Sequence, residues 1–178
     1  MAQRIEGREK DLGGGFTIRR VLPHARCRHV GPWVFLDLFG PQEVEAGALA
    51  VRPHPHIGLA TVTFLYAGSL VHRDSLGSHQ VITPGAVNLM TAGRGIVHSE
   101  RSEGYAGPMH GLQLWLALPD GNQDMEPAFD HVPADALPAW KEGGSELRLG
   151  LGTLGGRTSP VPTRSPTVFV DVRLAGTV

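Results

Sequence analysis

Apolar and polar residues alternate with a period of two along most of the chain, which is the pattern of half-buried β-strands. Gly, Pro and Asp residues separate the alternating segments at short intervals, as in proteins built from many short strands. We therefore predict an all-β protein, either a sandwich or a barrel. The predicted strand segments are 16–22, 31–40, 60–68, 70–75, 79–85, 86–93, 111–119, 146–154 and 167–174.

Two segments depart from the strand pattern. Residues 133–143 are the best helix candidate, although Pro138 divides them and proline interrupts the hydrogen bonds of a helix. Residues 120–133 are polar and are predicted to form a connecting loop. Because the chain has no internal repeat and no convincing boundary, we expect residues 1–178 to form one domain.

The composition is that of a globular protein. Hydrophobic residues make up 41% of the 178 positions and charged residues 19%, which is too apolar for disorder. The formal net charge of −1 gives no general attraction to nucleic acid or to an anionic membrane. Cys27 is the only cysteine, so an intramolecular disulfide is excluded. With no signal-like N-terminus and no long apolar run, we expect a cytoplasmic protein.

Two short motifs carry the candidate chemistry. His54 and His56 lie in the run HPH, and His98 and Glu100 lie in the run HSE. In a strand, side chains two residues apart point to the same face, so each pair can direct two donor atoms to one point. If the two strands are neighbours, three imidazoles and one carboxylate meet. This ligand set suits a divalent transition metal, and the donor atoms alone do not choose among Fe, Mn, Ni, Cu, Co and Zn.

The residues around the motifs favour the metal interpretation over a coincidence of spacing. Pro55 cannot donate a hydrogen bond to a sheet, which predicts a sheet edge or a bulge at the first motif. The glycines within residues 91–100 indicate a tight, irregular approach to the second motif. An HxH pair by itself is weak support, so a barrel without a metal remains an alternative.

Residues 54–100, which contain the runs HPHIGL, HRDSLG and TAGRGIVHSE, resemble the core of the pirin family within the cupin superfamily. Residues 31–41 and 110–119 also match the family. The resemblance implies a jelly-roll β-barrel. It also implies one metal ion, typically Fe(II), bound by the matching residues His54, His56, His98 and Glu100.

The chain departs from the pirin pattern in two ways. Ile57 and Ala60 stand where many pirins have Arg and Glu, and Ala60 is expected to make the inner wall of the barrel less polar. Pirins usually have two barrels, and residues 164–178 resemble the start of the second one. The apolar faces near that end predict a homodimer in which each copy covers the other.

Three further residues have two interpretations each. His72 could lie near the metal, but a solvent-facing position after a hairpin is favoured. Gln113 and Trp115 share the face opposite to the leucines of residues 111–119. They contact a substrate if that face lines the barrel, and otherwise Trp115 belongs to the core.

The resemblance implies two classes of function. The first is an oxidoreductase of the quercetin 2,3-dioxygenase type, which uses O₂ and a small aromatic substrate. Glu100 would then accept the proton of the substrate hydroxyl. The alternative is a regulatory or interaction protein that responds to the oxidation state of iron and binds a protein partner.

Overall fold

The computed structural model describes residues 4–13 and 15–176, and nearly all of its regular structure is β-strand. In this part of the chain no helix is long and apolar enough to cross a membrane. One short 3₁₀ helix spans Ala134–Ala136. The strands are β1 (Arg8–Asp11), β2 (Thr17–Leu22), β3 (Trp33–Val44), β4 (Ala50–His56), β5 (Leu59–Ala67), β6 (Leu70–Asp74), β7 (His79–Ile82), β8 (Val87–Thr91), β9 (Ile96–Arg101), β10 (Gly107–Ala117), β11 (Ala128–Val132), β12 (Ala139–Glu142), β13 (Ser145–Leu151), β14 (Thr153–Leu154), β15 (Arg157–Thr158) and β16 (Phe169–Arg173).

Two antiparallel sheets form the barrel. The larger has the strand order β1-β2-β3-β10-β5-β8-β11, and the smaller has the order β4-β9-β6-β7. Side chains from both sheets line one interior cavity, among them Asp37 and Thr63 of the larger sheet and His54 and Glu100 of the smaller. The two facing sheets are the jelly-roll architecture of the cupin barrel, so the predicted fold class is confirmed.

Strand β10 shows why the larger sheet is buried on both faces. Leu112, Leu114 and Leu116 belong to an apolar cluster on the outer face of the sheet. Gln113 and Trp115 alternate with them and face the interior cavity. The predicted division of this strand into a leucine face and a polar–aromatic face is therefore confirmed, and the second face lines the barrel.

A second sheet system covers the outer face of the larger sheet. Strands β12, β13 and β16 form a three-stranded sheet, and β14 pairs with β15. Phe169 of β16 contacts Phe64 of β5 edge to face, with ring centroids 5.2 Å apart. The buried side chain of Leu151 belongs to the same outer cluster as Phe64. This C-terminal part of the chain is thus packed against the barrel through apolar side chains.

Two predicted elements are wrong. The helix candidate 133–143 contains only the short 3₁₀ helix, and its second half is strand β12, which pairs with β13. The predicted loop 120–133 contains strand β11, which pairs with β8 at the edge of the larger sheet. Both strands are four or five residues long and carry polar residues. Pairing with a preformed neighbour, rather than a strong local pattern, decides their conformation.

Candidate metal centre

Strands β4 and β9 bring the two motifs together. The strands are antiparallel neighbours, and His54 lies directly opposite His98. Strand β4 is at the edge of the smaller sheet, and its register with β9 shifts between Val51 and His54. Pro55 therefore occupies an edge strand beside a bulge, as its missing N–H predicts.

A tight turn leads into the second motif. Gly93 has a φ angle of 51°, a left-handed conformation that glycine adopts without steric cost. A Cβ atom at this position would overlap the carbonyl oxygen of Met125. The carbonyl oxygen of Gly93 accepts a hydrogen bond from the N–H of Gly58, 2.8 Å away. The glycine thus lets the turn before β9 approach the turn after β4, which holds the two motifs in register.

The three imidazoles of the motifs converge. Each of His54, His56 and His98 offers one ring nitrogen, and these atoms all lie within 4.8 Å of one another. The Nε2 atoms of His56 and His98 are 3.0 Å apart. Two nitrogen ligands bound at right angles with bonds of about 2.1 Å would also be about 3.0 Å apart. The spacing therefore fits adjacent ligands of one metal ion.

Hydrogen bonding fixes the orientation of the His54 ring. Its Nδ1 atom is 2.8 Å from the carbonyl oxygen of Arg52. A carbonyl can only accept a hydrogen bond, so Nδ1 must carry the proton. The lone pair of neutral His54 is consequently on Nε2, which is the atom left for a metal.

Glu100 is buried beside the imidazoles. It lines the same cavity as His54 and His56. It also belongs to a second group of candidate ligands, with His72 and His98, whose donor atoms lie within 4.8 Å of one another. Burial raises the pKa of Glu100, and a hydrogen bond from the Thr63 hydroxyl to Oε1, at 2.6 Å, opposes that rise. The structure thus places all four predicted ligands around one region and adds His72 behind it.

His72 lies inside the barrel, contrary to the expectation from the sequence. The favoured solvent-facing position is wrong, because His72 is 2% exposed and its Nδ1 atom is 3.4 Å from Nδ1 of His98. Strand β6 pairs with β9, so His72 lies opposite Glu100 and Asp74 lies opposite His98. His72 and Asp74 in the run HRD are two residues apart, as are the paired residues in HPH and HSE. This shared spacing is the sequence signal that could have indicated a position of His72 beside the other two motifs.

The cavity in front of the imidazoles has a volume of about 180 Å³. Its aromatic wall is formed by Phe35 and Trp115, whose rings stack with centroids 4.0 Å apart. The Nε1 atom of Trp115 is buried without a hydrogen-bond partner in the described residues. A ligand with a hydrogen-bond acceptor could satisfy that donor.

A charged pair forms another part of the cavity wall. Arg20 donates two hydrogen bonds to Asp37, at 2.8 and 2.7 Å. The hydrogen bond to Asp37 raises the pKa of Arg20. The guanidinium carbon also lies 4.4 Å from the centre of the Phe35 ring. The pair presents polar atoms to the cavity without leaving a buried charge alone.

The two residues that depart from the pirin pattern, Ile57 and Ala60, do not line this cavity. Ala60 packs in the apolar cluster on the opposite face of the larger sheet, with Val62 and Leu116. The expectation that Ala60 makes the inner wall less polar is therefore wrong, since residues 60 and 63 point to opposite faces of β5. Ile57 is 67% exposed. Neither position alters the lining of the site.

Burial keeps the rings of His56 and His98 neutral. The pKa of His56 is lowered to about 4, mainly by desolvation and to a smaller extent by the electrostatic effect of the neighbouring His54. Desolvation and the surrounding histidines lower the pKa of His98 to about 3. Metal ions bind the neutral form of imidazole, so these low pKa values favour binding at neutral pH.

The same pKa values predict how the metal-free protein responds to acid. In the unfolded chain both imidazoles take up protons near pH 6.5, whereas folded His56 and His98 do so only near pH 4 and 3. Below pH 6.5 the unfolded chain therefore binds protons that the folded chain does not, which favours unfolding. The stability that the two neutral imidazoles contribute is complete above pH 6.5 and is lost as the pH falls below it. We expect the urea concentration at the unfolding midpoint of the metal-free protein to decrease as the pH is lowered from about 7 to about 5. The urea midpoint of the variant His98→Phe should decrease less over the same pH range, because one of the two imidazoles is absent. An equal decrease in both proteins would contradict the lowered pKa of His98 in the folded chain.

The amino-acid sequence matches the family model Pirin over residues 15–116. It is 49% identical over 173 residues to a Pseudomonas aeruginosa protein with the provisional name quercetin 2,3-dioxygenase, covering 97% of this chain and 54% of that protein. It is 48% identical over 177 residues to a pirin-like protein of Caulobacter vibrioides, covering 96% of this chain and 61% of that protein.

A solved structure agrees with these sequence matches. The crystal structure of quercetin 2,3-dioxygenase from Acinetobacter baumannii superimposes with a TM-score of 0.91 at 45% sequence identity. The match covers 96% of this chain and 56% of that chain. The chain thus spans a little more than half the length of the relatives it matches. By the extent of the family match and by its identity to these relatives, the chain belongs to the pirin family of the cupin superfamily.

Proposed function

We propose that the chain holds one divalent transition metal, Fe(II) first among the candidates, through His54, His56, His98 and Glu100. The observation that carries this proposal is the convergence of three imidazoles beside a buried carboxylate at the wall of a cavity. Four ligands from side chains would leave coordination positions for a substrate and O₂ on a six-coordinate ion.

We further propose that this centre oxidises quercetin-like flavonols as a dioxygenase. The P. aeruginosa and A. baumannii relatives carry the name of that activity. A bound metal ion would lower the pKa of the flavonol hydroxyl and polarise it. The stacked rings of Phe35 and Trp115 offer a flat apolar surface to an aromatic substrate. Gln113 adds a polar group on the same wall.

Glu100 is the proposed proton acceptor. Its raised pKa makes the carboxylate a stronger base than an exposed glutamate. The Thr63 hydroxyl contacts Oε1 of Glu100 at 2.6 Å and the Oε1 atom of Gln113 at 2.8 Å. Since a hydroxyl carries a single proton, Thr63 can donate to only one of them at a time. Thr63 therefore connects the proton acceptor to the wall that would contact the substrate.

Removal of one proposed ligand tests the metal centre. We expect the variant His56→Ala to bind metal at least about 100-fold more weakly, because a buried ligand is lost and the remaining imidazoles cannot replace it. Elemental analysis and competition with a chromophoric chelator measure this change. The variant His79→Ala is the matched control, since His79 is exposed on β7. Equal metal content in both variants would rule out the proposed ligand set.

Oxygen uptake tests the reaction. The iron-loaded protein should consume one O₂ for each flavonol whose absorbance it bleaches. The variant Glu100→Gln should lower turnover by about 100-fold or more, because the proton acceptor is lost. Metal content is measured in the same samples, so that loss of iron is separated from loss of the base. An iron-loaded protein that neither consumes O₂ nor bleaches quercetin would refute the dioxygenase proposal and leave the redox-responsive interaction protein.

We propose that residues 1–178 act as one pirin-type barrel unit in the cytoplasm and that two copies associate. The support for association is a pair of exposed apolar side chains near the C-terminal end: Val172 on β16 is 45% exposed, and Leu174, just after the strand, is 62% exposed. These side chains could pack against a second copy.

Light scattering tests the association. At micromolar concentration the chain should have twice the mass of one copy, and Val172→Lys should shift it toward the monomer because a charge would enter the contact. Leu154→Lys is a matched control, since Leu154 is also exposed but lies on β14. A monomeric unmodified chain would contradict the proposal.

A further inference from the structure

A buried series of polar groups lies behind the ring of His98, on the side away from His56. The Nδ1 atom of His98 is 3.4 Å from Nδ1 of His72. The Nε2 atom of His72 is 3.0 Å from Oδ2 of Asp74. The side chains of His72 and Asp74 are 2% and 0% exposed. The rings of His98 and His72 thus connect the proposed metal centre to the carboxylate of Asp74, which lies outside the proposed ligand set.

The carboxylate end of this series is firmly held. Oδ1 of Asp74 accepts hydrogen bonds from the backbone N–H groups of Leu76, at 2.9 Å, and Ser78, at 3.1 Å. Burial raises the pKa of Asp74, but the hydrogen bonds from His72, Ser78 and Leu76 together lower it further. Asp74 is therefore ionised at neutral pH and can only accept hydrogen bonds.

The ring of His72 is also held in place. It stacks on Phe129 of β11, with centroids 4.1 Å apart and an angle of 12° between the planes. Since β11 belongs to the larger sheet and His72 to the smaller, the ring is fixed between the two walls of the barrel. Its two nitrogens consequently keep their partners on either side.

The ionised carboxylate of Asp74 determines the direction of each hydrogen bond in the series, through His72 to His98. Because Asp74 only accepts, the proton of a singly protonated His72 ring lies on Nε2, and Nδ1 then has the lone pair. The facing Nδ1 of His98 must therefore donate. This leaves the lone pair of His98 on Nε2, which is the atom 3.0 Å from Nε2 of His56.

We propose that His72 and Asp74 are positioning residues that fix the tautomer and orientation of His98 so that its Nε2 atom faces the metal. The proposal rests on the proposed metal centre and adds a function for two residues outside its ligand set. It also assigns His72 to the support of a ligand, although His72 shares a group of candidate ligand atoms with His98 and Glu100. Partners of this kind orient metal-binding histidines and strengthen their donation.

The variant Asp74→Asn reverses the hydrogen-bond directions while keeping the shape of the side chain. Its Oδ1 atom can still accept from Leu76 and Ser78, and its amide group then donates toward His72. His72 must accept at Nε2 and carry its proton on Nδ1, which forces the proton of His98 onto Nε2. Zn(II) should consequently bind about 10- to 100-fold more weakly.

The experiment combines Zn(II) affinity with a direct view of the tautomers. Long-range ¹H–¹⁵N spectra of the metal-free protein, labelled at histidine, distinguish protonated from unprotonated ring nitrogens. We expect His98 protonated at Nδ1 and His72 at Nε2 in the unmodified chain, with both reversed in Asp74→Asn. A second variant, His72→Phe, keeps the stack on Phe129 and should weaken Zn(II) binding by about tenfold. His131→Phe is the control, because His131 is a half-buried histidine bonded to Asn88 instead, and its Zn(II) affinity should stay unchanged.

Three results would overturn the proposal even if the metal centre exists. The first is a proton on Nε2 of His98 in the unmodified metal-free chain, and the second is an unchanged Zn(II) affinity in Asp74→Asn. The third is a coordination shift at His72 when Zn(II) is added, since His72 would then be a ligand itself. An unmodified chain that binds no Zn(II) would refute the metal centre and with it the role of the pair. The tautomers of the metal-free protein would still report whether the hydrogen-bond series exists, so the two failures are distinguishable.

Discussion

The antiparallel pairing of β4 with β9 is the contact on which the site depends. Side chains on a strand alternate between faces, so a shift of this pairing by one residue would turn one motif out of the barrel. The register places His54 opposite His98, and the turn at Gly93 keeps the two strands at that register. The convergence of the imidazoles follows from these backbone hydrogen bonds before any metal is bound.

The covered outer face of the larger sheet determines which residues its inner face can carry. Its outer face is covered by the C-terminal strands, which removes water from one side of β5 and β10. Its inner face can therefore carry a few polar groups, such as Thr63 and Gln113, without losing the apolar contacts that hold the sheet. Burial on the outer side is what allows a partly polar lining on the inner side.

Most of the strands and the convergence of the HPH and HSE motifs were predictable from the sequence, because alternation and the HxH and HxE spacings are local patterns. The leucine face of β10 was predictable for the same reason. Strands β11 and β12 were not, since their conformation comes from pairing with β8 and β13 and their own pattern is weak. His72 was misplaced because its burial depends on Phe129, which is 57 positions along the chain in a segment predicted to be a loop.

The edge position of β4 has a consequence for the choice of ion. His98 and Glu100 lie on β9, which has hydrogen-bonded neighbours on both sides, whereas His54 and His56 lie on a strand with one neighbour. Half of the proposed ligand set would consequently be stiff and the other half compliant. Ions of different radius could then be accommodated by small displacements of β4 alone. Such a site discriminates weakly by size, and the ion that occupies it would be decided mainly by which metal the cell supplies.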